Sequence, residues 1–422
     1  MSREKRPVFS RRAALAGMAA SCAAGMVANS RADNGVGPIF SATGPNAELY
    51  GAAAGYPVPD AAKARRQGNP WQPGERVGAF THIDDIYPTR QVKRAAIPWT
   101  FKRAPAELFD PFRTEVTGYL ARNPVTGLLI AQNDQILFEH YQYGRTDRDR
   151  FVSQSIVKSI TGLLIGIAIG DGAIKSVEDR PEAYVSGFKG SEYGSTSIRD
   201  LLHMSSGVEF GEEQENGRDL NRLWRDMVFG SGKGTIASIT QFNRRIAPAG
   251  TKFYYASIEP DVLGVVLRNA TGKSLSDYLE EKIWGPIGAE ADAKWLLDAE
   301  GYELAHFGFN AVLRDYARLG RLLAHDGAWE GRQIIPASWM IEATTTRPTD
   351  AYLAPGRTSP YSLGYGYLIW LLPGTRRQFA LLGSCSQLVL VDPPSKLVMV
   401  QTALDRGDDV WKLWAAAVKQ FG

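Results

Sequence analysis

Phe151-Val152-Ser153-Gln154-Ser155-Ile156-Val157-Lys158-Ser159 places a serine and a lysine three residues apart at the head of an apolar run. Residues i and i+3 share a helix face, with Cβ atoms about 5–6 Å apart. An amine so placed reaches the hydroxyl, which is what a serine nucleophile needs where no histidine serves it. The run continues through Ser159-Ile160-Thr161-Gly162-Leu163-Leu164-Ile165-Gly166-Ile167-Ala168-Ile169 and stops at Gly170 and Gly172. It is apolar nearly all round and therefore reads as a core helix. A lysine there is poorly hydrated, and desolvation works against its charged form. The same spacing also fits a surface lysine that follows a serine by chance, so the flanking sequence has to discriminate.

Upstream, Thr126-Gly127-Leu128-Leu129-Ile130-Ala131 and Gln135-Ile136-Leu137-Phe138-Glu139-His140-Tyr141 flank Asn133-Asp134 and predict a β-hairpin. Downstream, 175–300 carries mostly helical signals, among them Ser197-Ile198-Arg199-Asp200-Leu201-Leu202, a run over 260–269, and another over 274–284 with Ser274 or Ser276 as cap. An amphipathic helix follows over 310–325. Strands are expected at Leu381-Leu382, at 387–392 and at 397–402, then a last helix over 408–420. Strands at both ends around a helical middle imply an α+β body, an antiparallel sheet flanked by helices, with an all-helical insert over about 175–300. Residues 33–110 are rich in Gly, Pro, Ala and Arg and read as an extended N-terminal arm. Trp71, Phe80, Tyr87, Trp99 and Phe101 argue that this arm packs on the 111–422 body.

The first 32 residues are a different material. Arg3, Lys5, Arg6, Arg11 and Arg12 precede an apolar stretch over 13–27, and Ser30-Arg31-Ala32 offers small residues where a signal peptidase reads. That is the pattern of a secretory signal. Ser10-Arg11-Arg12 resembles the twin-arginine export signal, which predicts a periplasmic or secreted protein. The apolar stretch is too short for a stable membrane span. Cleavage after Ala32 removes six of the 48 basic and one of the 45 acidic residues, turning +3 into 42 against 44, or −2. The basicity belongs to the signal, so neither nucleic acid nor an anionic membrane is an expected partner. Cys22 lies inside the signal, where Ala19-Ala20-Ser21 is a poor match to the Leu-led lipobox of a lipidated protein. Cys385 is then the only mature cysteine, and no intrachain disulfide is expected.

A Ser–Lys pair still needs a proton for the leaving group. Thr251-Lys252-Phe253-Tyr254-Tyr255-Ala256-Ser257 offers Tyr255, since a phenol near an ammonium gives up its proton more readily. These aromatics also fit an ordinary core. With Tyr255 added, the chain resembles the serine hydrolases of the β-lactamase and penicillin-binding fold. It is most similar to class C β-lactamases, D,D-peptidases, and the esterases and 6-aminohexanoate-dimer hydrolases grouped with them. The resemblance rests on the Phe151 stretch, on Asp200-Leu201-Leu202-His203-Met204-Ser205-Ser206-Gly207-Val208, and on Tyr255-Ala256-Ser257 with Val262-Leu263-Gly264. Gly308-Phe309-Asn310-Ala311-Val312-Leu313-Arg314-Asp315-Tyr316-Ala317-Arg318-Leu319-Gly320 extends it, as does Gly383 to Gln387 running into Val391-Asp392-Pro393.

The resemblance implies Ser155 as nucleophile, Lys158 as general base and Tyr255 as acid/base, with Ser257 where relatives carry Asn or Ser. The family's third strand motif falls on Leu381-Leu382-Gly383. It implies an oxyanion hole from the backbone N–H groups of Ser155 and Ser384, a donor of that kind being worth about 3–4 kcal/mol in the transition state. The cationic or hydroxyl side chains that β-lactam-handling relatives use there are leucines here, and Arg376 and Arg377 are expected to face solvent at a strand start. The expected activity is therefore hydrolysis of carboxylic esters or linear amides of small molecules through an acyl-enzyme. A penicillin-binding protein or β-lactamase is the alternative, and a silent binding relative the third. Ser257, Gly383, His306 and Asn310 are candidate pocket residues.

Other motifs carry less. The five histidines show no metal spacing and no Gly-x-Ser-x-Gly elbow exists, so neither a metal nor an organic cofactor is expected. Cys385 has no histidine near it in sequence and reads as a buried strand cysteine. Gly230-Ser231-Gly232-Lys233-Gly234-Thr235 lacks phosphate-loop spacing. The acidic run 209–215, with Trp224, falls where the 6-aminohexanoate hydrolases carry a substrate-side loop, although a solvated loop fits it as well.

Overall fold

Strand sequences here are apolar on both faces because the sheet they build is buried on both. The computed structural model describes residues 37–67, 71–212, 218–229, 232–345 and 364–422. The residues read as an export signal, Cys22 among them, lie outside these, as do Gly230, Ser231 and part of the 209–215 run. Among the described residues a nine-stranded sheet runs in the order Ile39–Phe40, Gln135–Tyr141, Val125–Gln132, Leu397–Ala403, Gln387–Asp392, Phe379–Gly383, Trp370–Leu371, Gly364–Tyr365, with Lys102–Arg103 also pairing with Gln135–Tyr141. Only Ile39–Phe40 and Lys102–Arg103 pair in parallel; the other pairs are antiparallel.

The period-2 alternation of a strand sends successive side chains to opposite faces. Leu129, Val389, Val391, Val398 and Val400 enter the larger core. Leu128, Ile130, Leu388, Leu390, Leu397 and Met399 enter a second core, under helices Ala106–Leu120 and Asp409–Phe421. Helix Leu313–Ala324 packs across the sheet on the larger-core side, where helix Ile156–Gly170 meets Phe379–Gly383 and Gln387–Asp392. The expected hairpin closes through Asn133, which takes φ +52°, a conformation Asn tolerates better than most residues.

Among the described residues, the helices of the middle of the chain run from Glu192–Ser195 to Glu280–Trp284 with loops between them, and Ser197 and Ser274 cap by accepting from Asp200 and Asp277 N–H. It is not helical to residue 300. Ala293–Leu296 is a strand in a second sheet, ordered Thr89–Val92, Ala293–Leu296, Phe309–Val312, Arg150–Val152. Asn310 accordingly sits in a strand, and the amphipathic helix starts three residues later, at Leu313.

The segment read as an extended arm is more structured than its composition suggests. It carries helices Ala61–Gln67 and Arg76–Ile86 and the strand Thr89–Val92, and it belongs to the same compact unit as the body. Val77, Phe80, Ile83 and Ile86 are buried in the common core, so contacts with distant residues stabilise helix that local Gly and Pro content argues against. No helix of the described residues is long and apolar enough to cross a membrane.

Candidate active site

Ser155 is the N-cap of Ile156–Gly170, reached through Gln154, whose φ of +48° turns the chain sharply out of strand Arg150–Val152. The helix is buried continuously from Ile156 to Ala168, which carries Lys158 into the core at 2% exposure. Its Nζ donates to Ser155 Oγ at 2.6 Å and to the carbonyl oxygen of His306 at 2.9 Å. No ion pair to Lys158 occurs among the described residues. Burying an amine is tolerable when its protons find oxygen partners, and both partners here are neutral.

His306 thus joins the site through its backbone, which no side-chain motif announces. Asp261, on helix Ile258–Thr271, fixes that carbonyl: Oδ2 lies 2.7 Å from His306 Nδ1, and Oδ1 accepts from Ala305 N–H at 3.0 Å. Trp224 and Phe307 flank His306, with Trp224 6.1 Å from the imidazole and 5.3 Å from Phe307, and Trp71 from the N-terminal segment reaches Phe307 at 5.9 Å. Asn310 points elsewhere. Its Nδ2 donates to the carbonyls of Lys294 and Gly308, which ties it to the second sheet.

Tyr255 approaches from the other side, its ring centroid 5.2 Å from Lys158 Nζ. The ring stacks on Trp370 at 5.9 Å and meets Tyr365 edge-on at 6.4 Å. The turn that carries it hangs on Met204, whose carbonyl accepts from Tyr254 N–H at 2.8 Å and whose Sδ accepts from Ala256 N–H at 3.5 Å. Met204 holds φ +52°, and Gly207 φ +71° with a backbone carbonyl where a Cβ would stand. The Leu202-to-Gly207 stretch is therefore a bent strap that positions the tyrosine. Ser257 faces away from a free-donor role, its Oγ donating to Glu212 Oε1 at 2.6 Å.

Gly383, the end of strand Phe379–Gly383, closes the third side. A Cβ on it would lie 2.5 Å from Ser153 O, 2.8 Å from Gln154 Cβ and 3.0 Å from Gln387 Cβ. Only a glycine lets the strand end come this close to the turn before Ser155, and it brings the exposed Ser384 along. Cys385 and Ser386 follow at φ +58° and +60°. Cys385 is not deep in a strand but half-buried in this turn, and forms no disulfide.

Arg376 and Arg377 are not turned freely to solvent. Arg376 donates Nε and Nη2 to the two carboxylate oxygens of Asp392, each at 2.5 Å, while Arg377 pairs with Asp326 and donates to Thr344. Asp392 is held below the usual carboxylate range: burial opposes ionisation, and the bonds from Arg376, Ser395 and Gln378 outweigh it. Both cations are thus engaged. Among the described residues, no group of His, Cys, Asp and Glu could hold a metal ion.

The model of the beta-lactamase family matches residues 112–410. The chain belongs to the beta-lactamase family. This family member is 27% identical over 375 residues to the 6-aminohexanoate-dimer hydrolase of Paenarthrobacter ureafaciens, covering 85% of this chain and 91% of that one. Among solved structures it resembles a Bacillus anthracis protein provisionally assigned as a 6-aminohexanoate-dimer hydrolase, with a TM-score of 0.68 and 23% identity over 82% of this chain and 92% of that one. It also resembles EstCE1, a hydrolase with promiscuous acyltransferase activity, with a TM-score of 0.59 and 14% identity over 75% and 98%. The α+β architecture is that of the β-lactamase and penicillin-binding fold, in a family of serine hydrolases that act on amides and esters.

Proposed function

We propose that this protein is an exported serine hydrolase that cleaves carboxylic esters or linear amides of small molecules through an acyl-enzyme at Ser155. The observation that carries the reading is the 2.6 Å contact between Ser155 Oγ and a lysine amine buried at the start of a core helix. In the proposed sequence, Lys158 takes the Ser155 proton as Oγ attacks the substrate carbonyl. The oxyanion is received by the N–H groups of Ser155 and Ser384, which lie at a helix N-terminus and beside it. The Tyr255 hydroxyl passes a proton to the leaving group and recovers one from Lys158. Water then adds to the acyl carbonyl along the reverse proton route, and Ser155 regains its hydrogen.

Two features support esters and linear amides over β-lactams. The strand leading to Gly383 offers Leu381 and Leu382 in place of a side chain that grips a carboxylate, and the arginines nearby are already paired. A 6-aminohexanoate dimer, the substrate in the name of a relative covering most of the chain, is a linear amide. The residues before 33 support export by a twin-arginine route.

The test compares hydrolysis of short p-nitrophenyl esters and a 6-aminohexanoate dimer with that of a chromogenic cephalosporin, for the natural protein and for Ser155→Ala. Turnover of ester or dimer that the substitution abolishes is the expected result. Cephalosporin hydrolysis with neither of the others would establish the β-lactamase alternative. Undiminished ester hydrolysis by Ser155→Ala would remove the serine from the mechanism.

A further inference from the structure

Among the described residues, Glu212 is the carboxylate that grips the turn carrying Tyr255. Its Oε2 accepts from Ser257 N–H at 2.8 Å and its Oε1 from Ser257 Oγ at 2.6 Å. Both residues are buried, at 7% and 3% exposure. Three backbone N–H groups anchor the turn, those of Tyr254, Ala256 and Ser257. The first two rest on the neutral carbonyl and thioether of Met204, whereas the third rests on a carboxylate. Bonds to a carboxylate are roughly twice as strong as neutral ones. A serine hydroxyl has a single proton to give, and here it goes to Glu212.

We infer that Glu212 is a positioning residue for Tyr255, acting through Ser257, and that the Ser257 hydroxyl is withdrawn from substrate recognition. This rests on the reading of Tyr255 as proton donor given above. Ser257 then differs in use from a pocket residue that donates to a bound acyl group. The carboxylate holds the head of helix Ile258–Thr271, and with it the phenol two residues earlier, against Lys158.

The test is a cycle of Glu212→Gln, Ser257→Ala and the double variant, with kcat and KM on p-nitrophenyl acetate and with active sites counted by fluorophosphonate labelling. Glu212→Gln is expected to lower kcat per labelled site about tenfold with KM within about twofold, and Ser257→Ala to lower kcat about threefold, since its N–H bond survives. The double variant should match Glu212→Gln within about twofold, because the two residues act as one unit. A rise in KM with unchanged kcat in Ser257→Ala would show that the hydroxyl touches substrate and overturn the inference. Multiplicative losses would overturn it too, as would a Glu212→Gln protein that melts earlier but keeps full kcat per labelled site, which marks a purely structural carboxylate. If the natural protein takes no label and turns over no ester, the parent reading fails and this inference with it. Labelling at Ser155 with uncoupled variants sinks the inference alone.

Discussion

Gly383→Ala probes the site with a single methyl group. The new Cβ would lie 2.5 Å from Ser153 O and 2.8 Å from Gln154 Cβ, atoms next to the backbone that cannot swing aside. Restoring ordinary van der Waals separation requires the strand end and the Ser155 turn to part by on the order of 1 Å. A misplacement of that size in a preorganised site costs about 10² in rate, or about 2.7 kcal/mol in the barrier. Complete loss of one oxyanion donor costs about 10²–10³, which sets the ceiling. Overpacking should also cost about 1–3 kcal/mol of stability. Gly383 has φ −125°, so alanine brings no backbone penalty and the effect is steric alone. The assay is kcat on p-nitrophenyl acetate beside a denaturant melt, with Ser384→Ala as control. That control keeps the backbone N–H on an exposed residue and should stay within about twofold. A folded Gly383→Ala protein with kcat within about threefold of the natural one would refute the placement of the Ser384 N–H in the oxyanion hole.

Three further outcomes are expected. Lys158→Met should lower kcat by about 10²–10⁴, the usual worth of a general base, while the melt holds, because methionine suits the apolar surroundings; near-full activity would contradict the base assignment. Asp261→Ala should lower kcat about tenfold and destabilise by about 3 kcal/mol, because it frees the His306 backbone that receives Lys158 and leaves buried donors unpaired; ester kinetics and a urea melt check both. Glu259→Gln bears on pH. Complete burial pushes the Glu259 carboxyl well above its ordinary range, against the bonds from Ser206. As pH climbs past the ordinary Glu value the unfolded chain sheds a proton that the folded chain keeps, so this group's contribution to stability falls with rising pH. The glutamine variant lacks that slope. Its melting temperature should gain on the natural protein between pH 4 and pH 8, and a gap independent of pH would disprove the neutral buried carboxyl.

Much of the frame was legible because its signals are local. Helix Ile156–Gly170 is apolar throughout, Asn133 marks a turn between two apolar strands, and Ser197 and Ser274 stand where caps belong. Ser155 and Lys158 share a helix face by spacing alone, and the structure brings Tyr255 to the same place from 100 residues away. What stayed hidden depends on distant partners. Helix Arg76–Ile86 forms because Phe80 and its neighbours find the core, with Trp71 bridging Phe80 and Phe307. His306 takes part through a carbonyl, which residue identity cannot reveal. Arg376 and Arg377 look like free cations until Asp392 and Asp326 fold beside them. The acidic stretch around Glu212 reads as solvated because Ser257, its partner, lies 45 residues on.

The most direct measurement is the site of covalent capture. The folded protein is treated with a fluorophosphonate, weighed intact, digested, and the labelled peptide sequenced by mass spectrometry. One adduct per chain at Ser155, forming at least 10²-fold more slowly in Lys158→Met, is the expected result. An adduct on another residue, or labelling at an undiminished rate without the lysine amine, would contradict a hydroxyl activated by its neighbour one turn along.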